Sequence, residues 1–139
     1  MTQTINDLMH EGLITCHPDT SLGQVATLLN VHHIHALVVA DQADAPLGII
    51  SDFDLLAAEW LAMDEESLNA MLKLTARDLM TSPIEMVEAG TSVQETAKRM
   101  ADRDIHRMLV TDAGKPVGVI SISNFVAGIA DQEAIRRET

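Results

Sequence analysis

The sequence predicts a mixed α/β protein built from two copies of one strand–helix–strand–strand–helix (βαββα) unit, and three observations carry that prediction. The chain is self-similar at an offset of 71 residues: Asp7-Leu8-Met9 returns as Asp78-Leu79-Met80, Thr20-Ser21 as Thr91-Ser92, Ile34-His35 as Ile105-His106, and Asp41 as Asp112. Each copy has a Ser followed three residues later by Gln or Glu, ahead of a helical apolar pattern. Each also has two short apolar runs joined by a polar turn. A period this long does not describe a solenoid, so the unit is a duplicated one.

Each copy opens on a short apolar stretch, Leu13 to Cys16 and Ile84 to Val87. Ser21 with Gln24, and Ser92 with Glu95, are capping-box pairs that satisfy free N–H groups at a helix start. The helices that follow place Leu22, Val25, Ala26 and Leu29 on one face, and Val93, Ala97, Met100 and Ala101 on the equivalent one. Leu37-Val38-Val39 and Met108-Leu109-Val110 then pair with Leu47 to Ser51 and Val117 to Ser121 across turns at Asp41 to Pro46 and Asp112 to Pro116, as β-hairpins. The repeat slips by one residue inside that turn, where a deletion is best tolerated. A second helix starts after each Ser. Residues 55–76 carry too many apolar side chains for a solvated linker and are expected to pack as helices on the core or on a partner chain. The expected division is a first unit at 1–63, a helical connector at 64–76, a second unit at 77–130 and a flexible polar tail at 131–139.

A chain of 139 residues is the size of one domain, or of two half-sized units that share a core. At 47% hydrophobic residues and a mean hydropathy of +0.12, it lies outside the disordered class. Nine Lys and Arg against 21 Asp and Glu, a net charge of −12, oppose a phosphate backbone and exclude nucleic acid as the expected partner. Two Phe, one Trp and no Tyr leave few rings for base stacking. The single Cys16 has no partner for a disulfide or a thiolate metal site, which fits a reducing compartment. The absence of a spanning apolar run or a signal-like start predicts a soluble, cytoplasmic protein with no membrane contact. Residues 1–72 hold eleven acids and no Lys or Arg, so a cation meeting an anionic ligand must come from the second half or from another chain.

Asp7-Leu8-Met9 with Asp78-Leu79-Met80, Ile105-His106-Arg107 ahead of a strand, and GIISDFD (Gly48 to Asp54) with GVISISN (Gly118 to Asn124) recur in constant order. In that order they resemble the cystathionine β-synthase (CBS) domain pair over nearly the whole chain. The resemblance implies two βαββα units packed through their sheets with pseudo-twofold symmetry, and clefts between the copies that bind AMP, ADP, ATP or S-adenosylmethionine. It further implies a homodimer that regulates an effector protein, with no required cofactor and no catalysis. The alternative is a ligand-free dimerisation scaffold whose sites have decayed.

The ligand-contacting set that the resemblance implies is Thr15, His35, Ser51 and Asp54 in the first copy, and His106, Arg107, Ser121, Ser123 and Asn124 in the second. Ser51 and Asp54 admit two readings. One is a local helix cap; the other is Asp54 accepting hydrogen bonds from a ribose 2′,3′-diol while Ser51 and nearby N–H groups face phosphate. Asn124 replaces the carboxylate in the second copy and, as a neutral acceptor, predicts a weak or empty second site. Arg107 suits a phosphate through its fork of donors, or pairs with Asp102 or Asp104. The His32-His33-x-His35 cluster invites a metal reading, but adjacent His residues at a helix end point apart, and no metal site is expected. Nothing in the sequence has the spacing of a nucleophile elbow, a P-loop or a catalytic triad.

Overall fold

The computed structural model describes residues 3–9, 12–60 and 62–138 and divides into two compact units, with a three-stranded sheet in each and six α-helices among the described residues. The central unit, Ile14–Ile84, contains β1 (Thr15–Cys16), α1 (Leu22–His32), β2 (Ala36–Ala40), β3 (Pro46–Ser51), α2 (Asp52–Glu59), α3 (Glu65–Lys73) and α4 (Ala76–Leu79). β1 runs parallel to β2, and β2 pairs antiparallel with β3 through the expected hairpin. Leu22, Val25 and Leu29 of α1 bury against Leu37, Val39 and Ile50 of the sheet, as the helical spacing requires.

The terminal unit joins Met1–Leu13 to Glu85–Thr139 and repeats the pattern with β4 (Met86–Glu88), α5 (Val93–Arg103), β5 (Arg107–Asp112), β6 (Lys115–Ser121) and α6 (Ile122–Glu138). β4 is parallel to β5, and β5 is antiparallel to β6. Its core gathers Ile5, Met9, Val87, Met100, Met108, Val110 and Ile120. Ser21 Oγ accepts from the Gln24 N–H at 3.2 Å and Ser92 Oγ from the Glu95 N–H at 3.1 Å, so both helix starts fall where the capping residues put them.

The compact units and the sequence copies divide the chain differently, because the two opening segments are exchanged. Ile5, at the start of the first copy, is fully buried in the terminal unit, where its N–H donates to Thr91 O at 3.0 Å and the Val93 N–H donates to Gln3 O. Ala76, its equivalent 71 residues on, is fully buried in the central unit, and its N–H donates to Thr20 O at 2.8 Å. Gly48 makes the second seat possible. A Cβ at that position would meet Thr81 O at 2.6 Å, so only a glycine lets the incoming segment lie this close to β3.

Two further differences concern the helices. The connector folds as α3, whose Met71 packs on the central core while Leu68 and Leu72 stay partly exposed. Residues 131–138, set apart in the sequence as a tail, continue α6, since no Gly or Pro interrupts them and Glu133 pairs with Arg137 one turn on. The membrane expectation has one structural counterpart: among the described residues, no helix is long and apolar enough to cross a bilayer.

Candidate functional site

Each sequence-predicted set lies within one unit, at the end of the sheet where the middle strand begins and the last strand ends. In the central unit, Ala36 at the start of β2 sits opposite Ser51 at the end of β3, and Thr15 on β1 pairs with Val38. His35 immediately precedes β2. The Asp52 N–H donates to its backbone oxygen at 2.9 Å, and its Nδ1 lies 2.9 Å from Asp52 Oδ2.

Ser51 and Asp54 form a reciprocal cap on α2. The Asp54 N–H donates to Ser51 Oγ at 3.3 Å, while the Ser51 N–H and hydroxyl donate to Asp54 Oδ2 at 2.8 and 3.1 Å. The local reading of these residues is therefore correct as far as it goes. Both donors land on Oδ2, however, and among the described residues Oδ1 receives no hydrogen bond from the protein. Asp54 is half-buried and lines a recess of about 420 Å³ between α2 and α3, walled by Ala57, Ala58, Ala70, Met71 and Leu79.

His35 opens instead onto a second recess of about 550 Å³, together with His33, Asp52 and Glu59. The histidine cluster is thus spread out. His32 ends α1, His33 takes the left-handed conformation at φ 54°, and His35 is turned to Asp52. Among the described residues, no group of three or more His, Cys, Asp or Glu is placed to hold a metal ion.

The terminal set repeats this scaffold with different chemistry. Arg107 at the start of β5 sits opposite Ser121 at the end of β6, and the Ile122 N–H donates to His106 O at 3.2 Å. The Ser121 N–H and hydroxyl donate to Asn124 Oδ1 at 2.8 and 3.1 Å, the distances found at Asp54. Ser121 Oγ also lies 2.8 Å from Ser123 Oγ, and His106 Nε2 lies 3.4 Å from Asp104.

In that geometry the Asn124 amide oxygen accepts from Ser121. An N–H needs an acceptor, so the oxygen is fixed toward Ser121 and the remaining atom of the amide is an NH₂ donor. At the equivalent place Asp54 presents an acceptor. The two sets therefore differ in hydrogen-bond polarity, as well as in charge, at Asp52 and Ile122, Asp54 and Asn124, and Ala36 and Arg107.

Burial pushes the Cys16 thiol up to about 11, so this cysteine is an unreactive core residue at neutral pH.

Comparison with known proteins places this architecture. The chain is 29% identical to the chloroplastic CBS domain-containing protein CBSX1 of Arabidopsis thaliana over 147 residues, covering 88% of this chain and 62% of that protein. It spans 61% of another relative, from Methanopyrus kandleri, so it accounts for less than two thirds of either length. The crystal structure of CBSX2 in complex with AMP superposes with a TM-score of 0.72 at 26% identity, covering 94% of this chain and 98% of that one. The CBS domain pair of protein MJ0100, in complex with 5′-methylthioadenosine and S-adenosyl-L-methionine, shares the fold at a TM-score of 0.79 and 22% identity, covering 95% and 99%. The CBS domain profile matches residues 5–60 and again 76–131, and the chain belongs to the CBS domain family.

Proposed function

We propose that this chain is a cytoplasmic regulatory module, not an enzyme, that binds an adenosine-containing ligand through the central set and acts as a homodimer on an effector protein. The observation that carries the reading is the carboxylate oxygen Oδ1 of Asp54. The cap occupies only Oδ2, so a fixed anionic acceptor is left at the start of α2. A ribose 2′,3′-diol presents two adjacent O–H donors, and hydrogen bonds to a charged acceptor are roughly twice as strong as neutral ones. Ser51 caps the same helix, while Thr15 and His35 are carried in the set as the resemblance implies, His35 on the neighbouring recess. The AMP-bound relative supports an adenosyl ligand.

Charge bears on which one. Within Ile14–Ile84, ten acids face only Lys73 and Arg77, and Arg77 is paired with Asp19 at 3.0 Å. This favours a neutral or cationic adenosyl compound, such as adenosine or S-adenosylmethionine. In the terminal set, the guanidinium of Arg107 suits the phosphate of AMP, ADP or ATP, with His106, Ser121 and Ser123 as further polar contacts. Bound ligand shifts the arrangement an effector reads only by its differential affinity for the two arrangements.

A thermal-shift panel of adenosine, AMP, ADP, ATP, S-adenosylmethionine and NAD tests the reading. A compound at 100 times its Kd adds about 2.7 kcal/mol to the native state and raises the midpoint by several degrees. If millimolar concentrations of all six leave the midpoint unchanged, the chain is a ligand-free dimerisation scaffold, the reading that Asn124 and Ala36 favour.

A further inference from the structure

The central unit holds a recess that the duplicated pattern does not account for. α2 ends at Glu59 and the chain starts a new helix, α3, after Asp64, whereas α6 runs unbroken from Ile122 to Glu138 through the equivalent positions. α3 leaves a space of about 420 Å³ beside α2, and the residues that line it all belong to the central unit.

Its walls are apolar and half of them are alanine. Ala57 and Ala58 come from α2, Ala70 and Met71 from α3, and Leu74 and Leu79 from the residues beyond it. Two polar residues complete the lining. Ser67 is taken up by the cap of α3, where its hydroxyl donates to Asp64 Oδ1 at 2.8 Å and its N–H to the same atom at 2.7 Å. Asp54 keeps Oδ1 free of the cap that holds Oδ2. Among the described residues, no Lys, Arg or His lines the recess.

This combination selects by charge and by shape. A carboxylate binds a cationic donor more strongly than a neutral one, because both partners of the hydrogen bond are then charged. An anionic group would meet Asp54 with no counter-charge on the walls, in a unit whose ten acids face only Lys73 and Arg77. The alanines leave room for a flat ring, and Met71 offers an adaptable, polarisable thioether to its edge. The volume falls within the range of about 300 to 1,000 Å³ usual for small-molecule pockets.

We infer that the recess binds a small primary amine with an aromatic body, its ammonium on Asp54 Oδ1 and its ring against Ala57, Ala70 and Met71. Amino acids are poor ligands, since their carboxylate finds no partner there. Amine and ribose use the same oxygen and exclude each other. The inference does not rest on the adenosyl reading, because amine binding is measured with no nucleoside present.

A chemical-shift titration of the whole chain with phenethylamine tests it. The expected Kd is about 1 mM or tighter for a ligand of this size, with shifts at the Ala57 and Ala70 amides. Phenylalanine, the neutral phenethyl alcohol and ring-free ethylamine should each bind about tenfold more weakly or worse. Asp54→Asn should cost phenethylamine a similar factor. Ala70→Leu, at an exposed position, should fill the recess and do the same while circular dichroism shows the fold retained. Equal affinity for ethylamine and phenethylamine would reduce the effect to diffuse surface charge and overturn the inference. Phenethylamine binding that survives either substitution, or no saturation by about 10 mM, would overturn it as well.

Discussion

The backbone N–H of Ser121 donates to Oδ1 of Asn124 at 2.8 Å, and that single bond decides what the second copy can offer a ligand. It fixes the amide oxygen in the helix cap and leaves an NH₂ on a largely buried side chain, where half-buried Asp54 has a second carboxylate oxygen. A ribose diol can donate to the second but not to the first.

Asn124→Asp should therefore convert the terminal set to the polarity of the central one. The carboxylate would keep the Ser121 cap, as Asp54 keeps the Ser51 cap, but Asn124 is only 9% exposed, so a carboxylate there also carries a desolvation cost and the ligand-free urea midpoint is to be measured alongside. Calorimetric titration with adenosine should show the number of sites rise from one toward two. Unchanged stoichiometry would mean that hydrogen-bond polarity is not what separates the copies.

Gly48→Ala should destabilise the fold by about 1 to 3 kcal/mol, the usual cost of forcing atoms into a packed position. The added methyl would meet Thr81 O at 2.6 Å and unseat the segment that bridges Ile49 to Thr81. Gly90→Ala, where nothing lies within 4 Å of the added carbon, is the control and should leave the urea midpoint nearly unchanged.

Acid should weaken the central unit through Asp78. The Thr75 N–H, helped by its hydroxyl, donates to this carboxylate at 2.9 and 3.1 Å and holds it below the usual carboxylate range; Ser67 does the same for Asp64. A lowered folded pKa gives stability that is present above the unfolded value, about 3.9, and is lost as pH falls through the folded value. Urea midpoints of wild type should exceed those of Asp78→Asn at pH 6, and the gap should shrink as pH falls below the unfolded carboxylate value of about 3.9. A gap that does not change with pH would contradict this.

The duplication, the hairpins and the helix starts were legible in the sequence because each depends on local chemistry: Ser21 and Ser51 cap whatever helix follows them, and Asp41 and Pro46 turn the chain between apolar runs. The exchange of opening segments was not. Thr4 bridges to Ser92 and Thr75 to Ser21, so both seats use the same residue types, and nothing local says which segment fills which. The orientation of the Asn124 amide was hidden for a related reason, since a sequence does not reveal which donor will hold it. Arg107 stands at the start of β5, and the charge difference between the two sets was already legible in Ala36 against Arg107 and Asp54 against Asn124.

The most direct test of the account is a calorimetric titration of adenosine into wild type and Asp54→Asn. Asn124 shows that an amide at this position retains the cap, so the ligand-free melting midpoint should move little while the ribose acceptor is lost. The predicted weakening is about 1.5 to 3 kcal/mol, or roughly ten- to a hundredfold in Kd. Equal affinity of the two proteins would remove Asp54 from the site and contradict the central claim.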